Sequence, residues 1–363
     1  MKSTFYTTAV AAMTASLANA ISIPQMSPKT DIVKRAPSDL LIPADGLSTN
    51  CISIGFLPCE GEAPELCPRY SMSQITSKLS NNAKAGAYGW YAQITDKPFD
   101  GSQLLAVKND IKKSGAVFVA SVMPSINFNK ITPEVAKQVA SAMKKFTDDG
   151  IPVWLRFGHE MNYYAQSGVY HGTPADFVTA WKNIYNANCK GNPRVKCFWS
   201  PNRNDDGKQL PQYWPGKEYV DIVGIDCYPG KNEDPSKIDL FDKMYGNFYN
   251  TYSKANNLPF AIGETGADAA RKEAWLKTLV SKQVKAKYPN YVSMSWFEFK
   301  KTENGGTTDF RIVMTDDKTL AQTQQTLFVG GNESCAKGGA NSTTTKPEMS
   351  AVASGVKQTV GAP

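Results

Sequence analysis

The chain has 363 residues, 20% of them charged, and a formal net charge of +7. That balance is mild, and no run of lysine and arginine of the kind that tracks a phosphate backbone occurs, so nucleic acid is not an expected partner. Histidine occurs only at His159 and His171, which excludes the multi-histidine ligand sets of barrel metalloenzymes, and neither metal nor cofactor is expected.

Lys2 is followed by an apolar, small-residue run to about Leu17 and then by Ala18-Asn19-Ala20, the pattern of a secretory signal peptide over residues 1–20. The run is too short and too rich in Ser and Thr to span a bilayer, and no other stretch is long and apolar enough, so no membrane partner is expected. Lys34-Arg35 ahead of Ala36 reads as a pro-peptide cleavage point closing residues 21–35. That leader holds Lys2, Lys29, Lys34 and Arg35 against Asp31, so its removal lowers the net charge by three, to +4. The product is expected outside the cell, as a monomer.

Seven cysteines in a secreted chain predict disulfides, and the odd count leaves one thiol over. Cys189 and Cys197 flank an Asn/Gly/Pro turn and form the expected local bridge; Cys227 is the expected free thiol. The spacings make no paired C-x-x-C zinc framework.

From Asn50 to Val329 one rhythm repeats, a short apolar run followed by an amphipathic segment. The expected strands are Ile52–Leu57, Ala85–Ile94, Val117–Val122, Val153–Phe157, Val195–Trp199, Tyr219–Ile225, Phe260–Gly263 and Tyr291–Phe297. Helices are expected over Thr132–Asp148 and Thr173–Ala187, each opening with Thr-Pro, and over Asp239–Asn256 and Ala269–Lys287 from their apolar spacing. Strands alternating with helices over this length predict an α/β fold, a single (β/α)8 TIM barrel occupying residues 36–330. An open doubly wound sheet is the runner-up; against it, the first strand runs into Pro58-Cys59 and not into a glycine-rich turn. Residues 331–363 form an expected disordered tail, with glycosylation acceptors at Asn332 and Asn341.

Chemistry in such barrels sits at the C-terminal ends of the strands, which filters the polar residues. The fourth strand ends in His159-Glu160-Met161-Asn162 and the seventh in Glu264-Thr265-Gly266. Glu160 and Glu264 stand 104 residues apart, or three barrel units of ~30 residues, so both face one mouth. Two carboxylates across one cleft are the equipment for breaking a glycosidic bond. Strand alternation puts Arg156 on the face of Glu160, Asp226 on that of Tyr228, and Trp296 on that of Glu298. Trp296 reads as core or as a floor for a sugar ring. Trp90, Tyr91 and Trp199, near other strand ends, carry the same two readings. Glu298 is the competing nucleophile, ranked below Glu264.

Arg156-Phe157-Gly158-His159-Glu160-Met161-Asn162 resembles the acid/base motif of glycoside hydrolase family 26, the β-mannanase family of clan A. The run Tyr213 to Asp226 is similar to that family's approach to strand six, and Pro259 to Gly266 to its nucleophile strand. The resemblance is strongest over Val153–Gly266. It implies a retaining enzyme with Glu160 as acid/base and Glu264 as nucleophile. It also implies a Tyr228 hydrogen bond to the nucleophile, His159 beside the acid/base, and Trp296 under the cleaved sugar. Arg156, Asn162, Trp90 and Trp199 complete the expected substrate-contacting set. The family's mannanases continue His-Glu-Met-Asn with Gly and a tryptophan-rich stretch, whereas this chain continues Tyr163-Tyr164-Ala165-Gln166-Ser167-Gly168. The expected partner is therefore a β-linked neutral polysaccharide, with mannan first and β-1,3- or mixed-linkage glucan and β-1,3-xylan behind it. A non-catalytic carbohydrate-binding cell-wall protein is the rival reading. It gives no reason for two carboxylates.

Overall fold

The computed structural model describes residues 37–328 apart from 62, 81, 304 and 305. The expected signal segment, the Lys34-Arg35 cleavage point, the tail, Asn332, Asn341 and Cys335 lie outside these residues.

Eight parallel strands form the centre: β1 (Ile52–Pro58), β2 (Ala87–Ile94), β3 (Val117–Pro124), β4 (Val153–Phe157), β5 (Val195–Trp199), β6 (Ile222–Gly224), β7 (Phe260–Thr265) and β8 (Tyr291–Glu298). Each pairs with the next, and β8 pairs back onto β1 from Ser53↔Ser293 to Pro58↔Glu298. That last pairing makes a closed (β/α)8 barrel and rules out the open doubly wound sheet. A two-residue strand, Ser48–Thr49, adds to β1 in antiparallel fashion. Beyond β8 the chain forms a hairpin of β9 (Lys300–Glu303) and β10 (Gly306–Asp309).

Buried on both faces, the strands read as continuous apolar runs, the pattern of an all-parallel sheet under helices. Their inward side chains fall into two layers. The lower one is dry: Ala87, Val117, Val119, Trp154, Phe198, Ile222 and Ala261 pack around Leu40 of the turn Pro37–Leu40. The Trp154 indole donates to the Leu40 carbonyl at 2.7 Å, so the polar edge of this large ring is satisfied inside the barrel. Two residues further along, the same inward register turns polar, with Ser121 paired to Arg156 and both in line with Tyr91. The functional mouth begins there.

The surrounding helices follow their sequence signals. In Pro133–Thr147 the Thr132 hydroxyl accepts from the Val135 amide, proline takes the first turn, and Ala136, Val139, Ala142, Met143 and Phe146 face the strands. Thr173 and Asp176 form a reciprocal capping box on Pro174–Asn188. Two expected helices are broken. The segment expected over Asp239–Asn256 is α-helical only from Ile238 to Phe241 and then widens into π-helical turns, Asp242–Gly246 and Tyr249–Lys254. This segment buries the large rings of Phe241, Tyr245, Phe248, Tyr249 and Tyr252. The segment expected over Ala269–Lys287 stops at Leu279 and restarts at Lys282, because the Ser281 hydroxyl caps the Val284 amide. The sixth strand shrinks from the expected Tyr219–Ile225 to three residues, and the Tyr219 carbonyl is taken instead by the Trp181 indole at 2.8 Å.

Cys189 and Cys197 form the expected bridge, tying the end of a helix to β5, and a second bridge joins Cys59 to Cys67. Cys51 is also disulfide-bonded, and Cys227 is a buried free thiol. The lower layer carries a stability prediction. Leu40→Ala empties the plug under Trp154 and should cost roughly 2–5 kcal/mol. Urea unfolding should show an earlier midpoint at unchanged slope; an unchanged midpoint would mean that Leu40 is not part of the core.

Candidate active site

After β4 the chain must leave the barrel and deliver a side chain back over its mouth. It does so through two left-handed residues, Gly158 (φ 53°) and Glu160 (φ 52°). A Cβ at Gly158 would meet the Phe177 ring at 2.9 Å, so glycine is needed there. Glu160 is strained by about 1–3 kcal/mol in such a conformation. Hydrogen bonds fix it: its amide donates to the Ser200 carbonyl at 2.8 Å, and its carbonyl accepts from the Tyr163 and Tyr164 amides, each at 2.9 Å.

Glu264 ends β7 inside a ring of donors. Arg156 Nη1 donates to Oε1 at 2.6 Å and the Tyr91 hydroxyl to the same oxygen at 2.7 Å. The Tyr228 hydroxyl donates to Oε2 at 3.3 Å, and His159 Nε2 lies 3.7 Å from Oε1. Arg156, fully buried, also donates to Ser121 Oγ at 3.2 Å and pairs with Asp226. Asp226 in turn accepts from Ser200 Oγ at 3.0 Å and from the Glu264 amide at 2.9 Å. Gly263 makes room for this knot: a Cβ there would sit 2.6 Å from Asp226, 2.8 Å from Ser200 and 2.9 Å from Arg156.

These surroundings push the two glutamates apart. Burial raises Glu264, but the adjoining Arg156 charge, His159 and the hydrogen bonds from Arg156 and Tyr91 outweigh it and hold the carboxyl at about 2. For Glu160, burial and then the charge of Glu264 push the carboxyl up to about 7, against smaller pulls from an Asn202 hydrogen bond, Arg156 and Lys301. His159 is buried next to Arg156, which keeps it neutral, with its value lowered to about 3. At neutral pH the site therefore holds an ionised Glu264 beside a Glu160 that exchanges its proton. One carboxylate oxygen from each of Glu160, Asp226 and Glu264 lies within 4.8 Å of the others. Such a trio has the donor chemistry for a cation, and the guanidinium of Arg156 already pairs with two of its members. The thiols of the other candidate group, Cys189, Cys197 and Asp221, are joined in a disulfide.

Asn162 meets the mouth indirectly. Its side chain forms a reciprocal pair with the main chain of Asn202, accepting from the amide at 2.9 Å and donating to the carbonyl at 3.1 Å. Three tryptophans expected at the sugar are placed elsewhere. Trp296 is 0% exposed and its indole donates to the Phe310 carbonyl at 2.8 Å. Trp199 is buried against Trp214, Phe248 and Tyr252, and Trp90 packs on Tyr88 under the Arg69 guanidinium. The reason is the pleat: Tyr91, Ser200 and Phe297, one position along, take the inward register, so the tryptophans turn toward the helices. Glu298 shares the outward face of Trp296 and accepts from the amides of Ile312, Val313 and Met314 at 3.0, 2.9 and 2.7 Å. It anchors a loop from the outward face of its strand. The sequence carried no signal for Ser200 or Asn202 and left Tyr91 ambiguous; strand pairing from Arg156 through Ser121 to Tyr91 is what places the last of these at the mouth.

Two outcomes are expected. The folded value of Glu160, about 7, lies above its ordinary 4.5, so the stability this group contributes is present in full below its unfolded value and is lost as pH rises through about 7. Glu160→Gln removes that loss. Its melting temperature should match wild type at about pH 4 and exceed it increasingly toward pH 8, and a gain independent of pH would contradict the buried-acid assignment. Glu298→Gln leaves one carboxylate oxygen's worth of acceptor for three amides and should lower stability by about 1–3 kcal/mol, seen as an earlier unfolding midpoint with the pH dependence of activity unchanged.

Comparison with known proteins agrees with this architecture. The model of glycosyl hydrolase family 26 matches residues 81–317. A mannan endo-1,4-beta-mannosidase of Bacillus subtilis (strain 168) is 27% identical over 164 residues, covering 43% of this chain and 41% of that protein. Mannan endo-1,4-beta-mannosidase A and B of Caldalkalibacillus mannanilyticus is 23% identical over 190 residues, 47% of this chain and 35% of that protein. The chain thus spans about two fifths of the length of the curated relatives it matches. Among solved structures, GH26C from Muricauda sp. MAR_2010_75 superposes with a TM-score of 0.55 at 16% identity, covering 82% of this chain and 88% of that one. A modular endo-beta-1,4-mannanase from Cellulomonas fimi gives 0.53 at 15% identity, with 80% and 73% covered. These structures share the barrel. With the family model matched across the mouth, from β2 through both glutamates to the loop that Glu298 anchors, the chain belongs to glycosyl hydrolase family 26.

Proposed function

We propose that the protein is a secreted, retaining glycoside hydrolase that cleaves β-1,4-linked mannan within the polymer. The observation that carries this reading is the glutamate pair: close enough for carboxylate oxygens to lie within 4.8 Å, and driven to opposite protonation states. A retaining enzyme needs carboxyl groups about 5–5.5 Å apart and an inverting one roughly 6.5–9.5 Å, so the close pair favours retention.

In the proposed mechanism Glu160 delivers its proton to the glycosidic oxygen as the bond to the leaving sugar breaks. Glu264 attacks the anomeric carbon. Its Oε1 is engaged by Arg156 and Tyr91, whereas Oε2 has only the longer bond from Tyr228, so Oε2 is the oxygen with a lone pair to spend. Once the covalent glycosyl-enzyme forms, the charge of Glu264 is gone and the push on Glu160 is relieved. Glu160, now ionised, takes a proton from water as the water attacks the same carbon, and the configuration is kept. Mannan is favoured over other β-linked polymers because the relatives compared above are mannan endo-1,4-beta-mannosidases. Export is supported by the disulfides Cys59–Cys67 and Cys189–Cys197, which persist in oxidising compartments.

Assay against mannan, β-1,3-glucan, mixed-linkage glucan, xylan and chitin tests the substrate, with the largest release of reducing ends expected on mannan. Glu264→Gln and Glu160→Gln should each lower kcat by several orders of magnitude. A wild type indistinguishable from Glu264→Gln on every polymer would leave the carbohydrate-binding reading. Activity should fall as pH rises through about 7, where Glu160 loses its proton. Proton NMR of the first product should show the β-anomer, and an α-anomer would exclude retention.

A further inference from the structure

We propose that Tyr91 is a positioning residue for the second half of the reaction: it holds the Oε1 atom of Glu264 and favours release of the sugar from that carboxylate. The inference rests on the nucleophile role proposed for Glu264.

Tyr91 stands on β2, level with Ser121 on β3, which is level with Arg156 on β4. Three neighbouring strands therefore bring a phenol, a hydroxyl and a guanidinium to one height of the barrel wall. Arg156 Nη1 donates to Ser121 Oγ at 3.2 Å and to Glu264 Oε1 at 2.6 Å, and the Tyr91 hydroxyl donates to that same Oε1 at 2.7 Å. Two donors thus converge on one oxygen. The other oxygen, Oε2, is met by the Tyr228 hydroxyl at 3.3 Å. The ring of Tyr91 rests tilted against the His159 imidazole, with centroids 5.6 Å apart. Burial and then the charge of Glu264 keep the phenol protonated well beyond its ordinary range, so it stays a donor.

The two donors on Oε1 differ in what they answer to. Arg156 also pairs with Asp226, so it belongs to the buried charge balance at every stage of the reaction. Tyr91 is neutral, and the strength of its bond follows the charge on Glu264. In the first step Oε2 forms a bond to the anomeric carbon, the bond to the leaving oxygen breaks, and that oxygen takes the proton of Glu160. Oε1 is then the carbonyl oxygen of a neutral ester. A hydrogen bond to a carboxylate is roughly twice as strong as one to a neutral acceptor. The contact from Tyr91 therefore weakens as the ester forms and strengthens as it breaks. In the second step the water oxygen bonds to the carbon, its proton passes to Glu160, and the electron pair of the Oε2–carbon bond returns to Glu264. Tyr91 lowers the energy of the free carboxylate relative to the ester. It makes Glu264 a better leaving group and a slightly weaker attacker, and it keeps the covalent sugar from becoming a resting place.

The test uses the full chain and a dinitrophenyl β-mannobioside whose reacting sugar carries fluorine in place of the hydroxyl beside the reacting carbon. The fluorine slows both steps and the good leaving group spares the first. The ester then accumulates on wild type, and its decay can be timed once excess reagent is removed. Peptide mass mapping locates it. In Tyr91→Phe, which loses one oxygen and keeps the ring, decay should be slower on the order of 10-fold. On the unfluorinated dinitrophenyl substrate kcat and KM should fall together, with kcat/KM, which reports the first step, changed less. A ring-fluorinated tyrosine in place of Tyr91 is a stronger donor and should shorten the lifetime of the ester; this second variant keeps the hydroxyl and its partner. An ester on Glu264 that decays equally fast in wild type and both variants overturns the inference. So does a loss in kcat/KM as large as the loss in kcat, the mark of a residue that only supports the fold. A wild type that carries no ester on Glu264 instead overturns the nucleophile reading beneath it.

Discussion

A guanidinium buried away from solvent must be surrounded by negative charge, and at the mouth of this barrel that requirement arranges everything else. Arg156 projects from β4 into the polar layer and meets Glu264 and Asp226, each through a different nitrogen. Removing one partner from such a group leaves an uncompensated buried charge and is destabilising by about 3–5 kcal/mol. The two carboxyl groups that meet it therefore belong to the fold as much as to any chemistry. A third carboxyl, Glu160, arrives in a region whose positive charge is already matched. Burial and the neighbouring Glu264 then raise its proton affinity. The opposite shifts in proton affinity of the two glutamates follow largely from which one Arg156 touches.

The barrel supplies the rigidity this arrangement demands. Below Arg156 lies the dry layer around Trp154 and Leu40, closed to water at the strand starts. Above it the strands end and loops take over, and these loops are cross-linked by side chains that serve backbone groups. Asn162 holds Asn202, Glu298 holds Ile312, Val313 and Met314, and Asp226 holds Glu264. Each is a polar residue in a place where an unpaired amide would be costly. The left-handed Glu160 is stable for the same reason, because its amide and carbonyl are both taken.

Aromatic residues show how far one position matters in a strand. The sequence offered Trp90, Trp199 and Trp296 near strand ends, where a sugar floor would lie. All three face the helices, and the rings that face inward at neighbouring positions are Tyr91, which donates to Glu264, and Phe297, which packs with Tyr228 and Phe310. On the rim, Tyr163 is 52% exposed and packs edge-on against Tyr164, which meets His159 in the same way. A row of rings thus runs from solvent to Glu264 without a tryptophan in it.

Sequence alone determined the barrel, because alternating strand and helix signals are local: β-branched runs, Thr-Pro caps and glycine stops act within a few residues. It also determined Arg156, Glu160 and Glu264, since strand ends locate the mouth and a contiguous motif marks its residues, and it determined the Cys189–Cys197 bridge, whose loop is short. What tertiary structure decided are the matters that depend on partners distant in the chain. The helix expected over Asp239–Asn256 widened around aromatic rings packed between it and other elements. Trp296 and Glu298 fell outward because pairing of β8 with β1 fixed the register, and a shift of one residue reverses every side chain. Asn202 acquired its place only when Asn162, 40 residues earlier, closed on its main chain. The values of the two glutamates belong to this class as well: identical side chains differ first through a guanidinium 108 residues from Glu264, with His159 and Tyr91 adding to it, and these fields have no meaning until the barrel is closed.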